Sequence, residues 1–94
     1  MKPLLFEAYP DLANIPWVEL GDYPTPIQKL EKLGEANGFH QLYVKREDKS
    51  NTEYGGNKVR KLEWVLADAQ SKGRKTLLTI GGSGSNQVLA TTIY

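Results

Sequence analysis

Gly55-Gly56-Asn57-Lys58-Val59-Arg60-Lys61-Leu62-Glu63 decides how the rest of the chain is read. Two glycines and an asparagine lead into helical spacing, with Val59, Leu62, Val65, Leu66 and Ala69 recurring on one side. Asn57 is the expected N-cap, and Gly73 suits the position just past a helix ending near Ser71. At about 100° per residue, Lys58 falls about 45° from the centre of the apolar stripe, Lys61 about 105° and Arg60 about 155°. Of the three cations, Lys58 is the one aimed inward. A helix N-terminus carries partial positive charge, so three cations in the first turn each cost on the order of 0.3–1 kcal/mol if exposed. The same field, with partial burial, disfavours the ammonium form of Lys58. A neutral lysine amine is a nucleophile that forms a Schiff base with an aldehyde. The plainer account is a lysine that snorkels from the helix edge to solvent, and the surrounding sequence has to decide between the two.

Downstream, Lys75-Thr76-Leu77-Leu78-Thr79-Ile80 is nearly continuously apolar, as a buried parallel strand would be. Gly81-Gly82-Ser83-Gly84-Ser85 is a tight loop, and Asn86 begins a last helix. Strand, glycine-rich loop, helix is an arrangement that offers backbone N–H groups to an anion, with hydroxyls from Ser83 and Ser85 and an amide from Asn86. The loop is neither a Walker A sequence nor Gly-x-Gly-x-x-Gly, because Gln87 occupies the third glycine site. Two helix starts, each after glycines and near strand ends, suggest one shared cleft at the carboxyl edge of a sheet.

Upstream, Thr25-Pro26 is expected to open a helix carrying Ile27, Leu30, Leu33 and Ala36, stopped by Asn37-Gly38. Gln41–Lys45 reads as a short strand and residues 46–56 as a polar loop. Residues 1–26 hold all five prolines and read as an N-terminal arm whose Leu4, Leu5, Phe6, Trp17 and Leu20 need a surface to cover. Residues 27–94 then read as the body that this arm covers. The order helix, strand, helix, strand, helix predicts an α/β fold with parallel strands and flanking helices.

Ninety-four residues at a net charge of +1 give no electrostatic case for nucleic acid or an anionic membrane. There is no cysteine and a single histidine, which excludes disulfides, thiolate metal sites and cysteine nucleophiles. Glu7 interrupts the first apolar run too early for a signal peptide, and a cytoplasmic chain is expected. The run Thr91-Thr92-Ile93-Tyr94 lacks helix-stop punctuation, so the chain is expected to be part of something longer and to be inactive alone.

Leu42-Tyr43-Val44-Lys45-Arg46-Glu47-Asp48, Tyr54 through Glu63, Thr79-Ile80-Gly81-Gly82 and Ser85-Asn86-Gln87 together resemble one family. They are similar to the pyridoxal-phosphate enzymes of the 1-aminocyclopropane-1-carboxylate deaminase and D-cysteine desulfhydrase group, of tryptophan-synthase-β-like fold. The likeness runs from about Pro24 to Tyr94 and implies that residues 27–94 are an incomplete N-terminal portion of a pyridoxal-phosphate-dependent catalytic domain. It implies that Lys58 is the Schiff-base lysine and that Asn86 holds the cofactor's ring hydroxyl. It implies that Ser85, with loop N–H groups, receives the substrate carboxylate, with Gly84 and Gln87 beside it and Asn57 and Lys61 in support. Gln87 matches the deaminase branch, while Ser83-Gly84 departs from the Ile-Gln expected in either branch. The family's phosphate loop, its pyridine-nitrogen partner and further tyrosines would lie beyond Tyr94.

The implied activity is a lyase or deaminase acting on a small amino acid and releasing ammonia and a 2-oxo acid, as a homodimer. Two rivals stand beside it. One is a phosphate- or nucleotide-binding α/β module without pyridoxal phosphate, and the other is a non-catalytic fragment.

Overall fold

The computed structural model describes all 94 residues. Its longest element, α3 (Lys58–Ser71), covers the helix expected from the motif, and Gly73 follows it with φ 65°. Val59 and Leu62 are fully buried, with Ala67 and Glu63 nearly so, whereas Val65 is 45% exposed. The buried arc is therefore turned by roughly 75° from the apolar stripe, toward Glu63 and Ala67. The cause is what packs there. Residues 17–21 are bonded to the helix at Glu63, whose carbonyl accepts from Val18 N at 3.1 Å and whose carboxylate accepts from Trp17, Leu20 and Gly21. Phe6 of α1 (Leu4–Ala8) meets Trp64 edge-on, with ring centroids 5.5 Å apart. Lys58 is left half-buried at the opposite margin.

Three local expectations are corrected. Thr25-Pro26 does not open a helix. Instead Ile27–Lys29 form β1, and α2 spans Glu31–Asn37. The Thr25 hydroxyl that would have capped a helix donates to Glu47 Oε1 at 2.6 Å, and Pro26 O accepts from Arg46 N at 2.9 Å. Partners across the chain thus outbid a local cap. The ladder that results is antiparallel, β1 with β2 (Tyr43–Lys45), in the register Ile27 with Lys45 and Lys29 with Tyr43. It is the one ladder in the structure, so the parallel pairing expected between residues 41–45 and 75–80 is not formed. Residues 75–80 have no strand partner, and Leu78 and Ile80 are 87% and 86% exposed.

Asn57 does not cap α3 through its side chain. Buried Ser50 organises the approach instead. Its Oγ donates to Gly56 O at 2.8 Å and accepts from Gly56 N at 3.0 Å, while Gly56 N also donates to Glu47 O at 2.8 Å. Gly55 is required here: a Cβ on it would lie 1.9 Å from the Asp48 carbonyl oxygen. After residues 75–80, α4 (Asn86–Ile93) starts where the sequence places it and packs against α3. No helix is long and apolar enough to cross a membrane.

Candidate active site

The two helix starts singled out by the sequence lie side by side. Tyr54 Oη, in the loop before α3, donates to Asn86 Oδ1 at the start of α4 at 3.0 Å. Tyr94 Oη, at the far end of α4, donates back to Tyr54 O at 2.6 Å. Side chains on a helix lean toward its N-terminus, which lets Tyr94 reach that loop. Lys58, the first residue of α3, thus follows four residues after one that touches α4.

Around α4 the donors are free. A turn closed by Ser85 N on Gly82 O at 3.1 Å places Gly84 at φ 76°, a conformation glycine adopts without strain. Ser85 is the N-cap and accepts from Val88 N at 3.4 Å, leaving its own hydroxyl proton uncommitted. The Asn86 and Gln87 N–H groups have no intramolecular acceptor, nor has the Asn86 amide nitrogen. Gln87 donates through Nε2 to Thr91 Oγ1 at 3.1 Å, and its Oε1 is buried with no partner. Gly82, Gly84, Ser85, Val88, Leu89 and Thr92 line a shallow groove of about 420 Å³ along one side of α4.

The side chains of Asn57, Lys58 and Lys61 make no hydrogen bond or ion pair, and none of them lines that groove. Lys58 is half-buried, while Asn57 and Lys61 are exposed. The structure therefore brings the two helix starts together through Tyr54 without bonding Lys58 to Ser85, Asn86 or Gln87.

Arg60, which the wheel turned away from the apolar stripe, is not a wasted cation. Its guanidinium donates to Glu47 Oε2 at 2.6 Å and Oε1 at 2.9 Å and lies 4.0 Å over the Tyr23 ring. Its hydrogen bonds, backed by that of Thr25, hold the Glu47 carboxyl down at about 2. Burial, with Glu63 adding to it, pushes the Tyr23 hydroxyl up to about 12. A second groove, of about 430 Å³, runs past Tyr23, Lys45, Arg60 and Trp64. It contains none of the motif's free donors and belongs to the support of α3.

The free groups fit pyridoxal phosphate and an amino acid chemically. They comprise an unpaired primary amine for an aldehyde, an amide NH2 for a ring phenolate, and N–H groups with a hydroxyl for a carboxylate. Tyr54 carries the link, and the sequence does not single it out, because its partner lies 32 residues away and no local spacing announces it.

Residues 18–94 match the family described as pyridoxal-phosphate dependent enzyme. The chain is 48% identical over 79 residues to a 1-aminocyclopropane-1-carboxylate deaminase of Burkholderia lata, covering 82% of this chain and 23% of that protein. It is 42% identical over 80 residues to a D-cysteine desulfhydrase of Salmonella paratyphi A, covering 85% and 24%. The crystal structure of a 1-aminocyclopropane-1-carboxylate deaminase homologue superposes with a TM-score of 0.81 at 42% identity, over 97% of this chain and 27% of that one. The chain spans about a quarter of the length of the relatives it matches.

Proposed function

This chain belongs to the pyridoxal-phosphate dependent enzyme family, and from that premise we propose that it supplies the lysine and the carboxylate-binding helix start of an enzyme deaminating a small amino acid. The observation that carries this reading is the pair of adjacent helix starts. One presents the unpaired Lys58, and the other presents Ser85, Asn86 and Gln87 with free donors.

In this reading Lys58 anchors the cofactor, and the Asn86 amide donates to its ring oxygen. Asn57 and Lys61 flank that attachment. Once bound, pyridoxal phosphate supplies an electron sink conjugated to the amino carbon of the substrate. Everything else falls to the chain's own side chains. The Ser85 hydroxyl and the Asn86 and Gln87 N–H groups hold the substrate carboxylate, with the α4 dipole favouring its charge. Fixing the carboxylate orients the bond to be broken. Gly84 keeps that side open, and Gln87 lies beside the substrate. The Lys58 amine would also move a proton at or near the α-carbon. With water consumed, ammonia and a 2-oxo acid are the products, joined by hydrogen sulfide when the substrate carries a β-sulfur; 1-aminocyclopropane-1-carboxylate and D-cysteine are the substrates to try first. These are the substrates carried in the relatives' names. We further propose a homodimer working in the cytoplasm, without nucleic-acid or membrane partners. The net charge of +1 supports the last point.

The test is a chimera in which residues 1–94 replace the matching quarter of the Burkholderia lata deaminase. Lys58→Ala should abolish the visible absorbance of lysine-bound pyridoxal phosphate and its trapping by borohydride, whereas Lys61→Ala should keep both. A Lys58 variant that still traps the cofactor would remove Lys58 from the role. Absence of the band from the unsubstituted chimera would favour the cofactor-free anion-binding module.

A further inference from the structure

An asparagine amide at the first position of a helix turns about a soft terminal torsion and can present either its oxygen or its nitrogen. In this structure the choice is made by Tyr54, whose hydroxyl donates to Asn86 Oδ1 at 3.0 Å and leaves the NH2 group turned outward and unpartnered. Tyr54 is itself held from several sides. Asn51 Oδ1 accepts from Glu53 N at 2.7 Å and Tyr54 N at 3.4 Å, while Asn51 Nδ2 donates to Leu20 O at 2.6 Å. Tyr94 Oη holds the Tyr54 carbonyl at 2.6 Å. The next residue, Gly55, passes against the Asp48 carbonyl where no side chain fits. A hydroxyl fixed this firmly acts on its partner rather than following it.

We propose that Tyr54 is a positioning residue: it sets the Asn86 amide with its NH2 toward the cofactor's ring oxygen and ties the loop carrying Lys58 to the start of α4. This rests on the reading that Asn86 donates to that oxygen. A donor held there stabilises the ring's negative charge and makes the adjoining nitrogen, attached to Lys58, less basic. A tyrosine that merely tethered two elements would leave that basicity alone.

The experiment uses the same chimera. In Tyr54→Phe the visible band should persist, because Lys58 is untouched, while the pH midpoint of its titration rises by about 0.5–1 unit. In an Asn86→Ala background the added Tyr54→Phe change should shift the midpoint no further. An unmoved midpoint in Tyr54→Phe, or equal shifts in both backgrounds, overturns the proposal. Tyr94→Phe keeps the Tyr54 hydroxyl and loosens only its backbone. It should shift the midpoint the same way by less, and it carries the test if Tyr54→Phe does not fold. If no variant, nor the parent, shows the band, the Lys58 reading has failed on its own. The orienting role is then read without cofactor, from the nitrogen-15 spectrum of the Asn86 side-chain amide. Tyr54→Phe should shift that signal, and an unchanged signal rejects the role.

Discussion

Glu63 carries a carboxylate into a nearly closed position, 4% exposed, and keeps it there by accepting from three donors of the N-terminal segment. Trp17 Nε1 donates to Oε2, and Leu20 N and Gly21 N donate to Oε1, all at 3.0 Å. A buried polar group is tolerable only when bonded in this way. Glu63 is thus the acceptor that joins residues 17–21 to α3. Glu47 does comparable work for the loop before α3, with Arg60 and Thr25 as donors. Its folded value, about 2, lies below the ordinary 4.5. A depressed carboxyl stabilises the fold above its ordinary value and loses that contribution as pH falls through its folded one. Glu47→Gln should therefore lower stability near neutrality by about 1–2 kcal/mol, since the pair is only partly buried. The gap between parent and variant should narrow from about pH 4.5 and close near pH 2. Urea midpoints across that range measure it, and a gap that stays constant with pH would rule out ionised Glu47 as the source.

Among the elements, α4 combines a structural duty and a chemical one in a single residue. Ser85 caps the helix through a long 3.4 Å bond to Val88 N and keeps its proton available. Ser85→Ala should cost about 0.5–2 kcal/mol of stability as a lost cap. In the chimera it should retain lysine-bound pyridoxal phosphate and reduce kcat/KM by up to a few kcal/mol in transition-state terms, the worth of a hydrogen bond to a charge. Equilibrium dialysis alongside steady-state kinetics separates the two effects. Loss of the cofactor with little change in its residual kinetics would make the loop a site for the cofactor's phosphate instead. The contrast between α3 and β1 is instructive at this scale. The period of α3 and its glycine boundary were legible because fourteen residues repeat one pattern. The three-residue β1 was not, because Thr25-Pro26 followed by spaced apolar residues also satisfies a helix start, and only the partner strand Tyr43–Lys45 breaks the tie.

For the whole molecule, nine of 94 residues are buried, so few side chains are shielded from water on every side. The accessible surface is 7147 Å², against about 5,400 Å² for a compact protein of this mass. The radius of gyration is 16.6 Å, against about 12 Å for a compact chain of this length. Ile27, Phe39, Leu78 and Ile80 are each more than half exposed. A slab with so little enclosed apolar volume has weak cooperativity, because losing one contact hardly weakens the next. Residues 1–94 by themselves should unfold over a broad range of urea and take up micromolar pyridoxal phosphate only weakly and through several lysines. A sharp transition with one cofactor trapped on Lys58 would show instead that these residues form a self-sufficient unit.

The sequence by itself determined what depends on neighbours along the chain. That includes the extent of α3, the start of α4, the glycine turn before Ser85, the left-handed Gly73 and the motif that resembles the family matched over residues 18–94. Tertiary structure alone decided which arc of α3 is buried, the antiparallel pairing of Tyr43–Lys45 with Ile27–Lys29, the Glu47–Arg60 pair and the bond from Tyr54 to Asn86. The physical reason is the same in each case. A helical period or a turn is set by backbone sterics and hydrogen bonds a few residues apart, which local spacing records. A polar side chain takes whichever partner the folded chain brings within about 3 Å, 13 residues away for Glu47 and Arg60 and 32 for Tyr54 and Asn86, a separation that local spacing does not record.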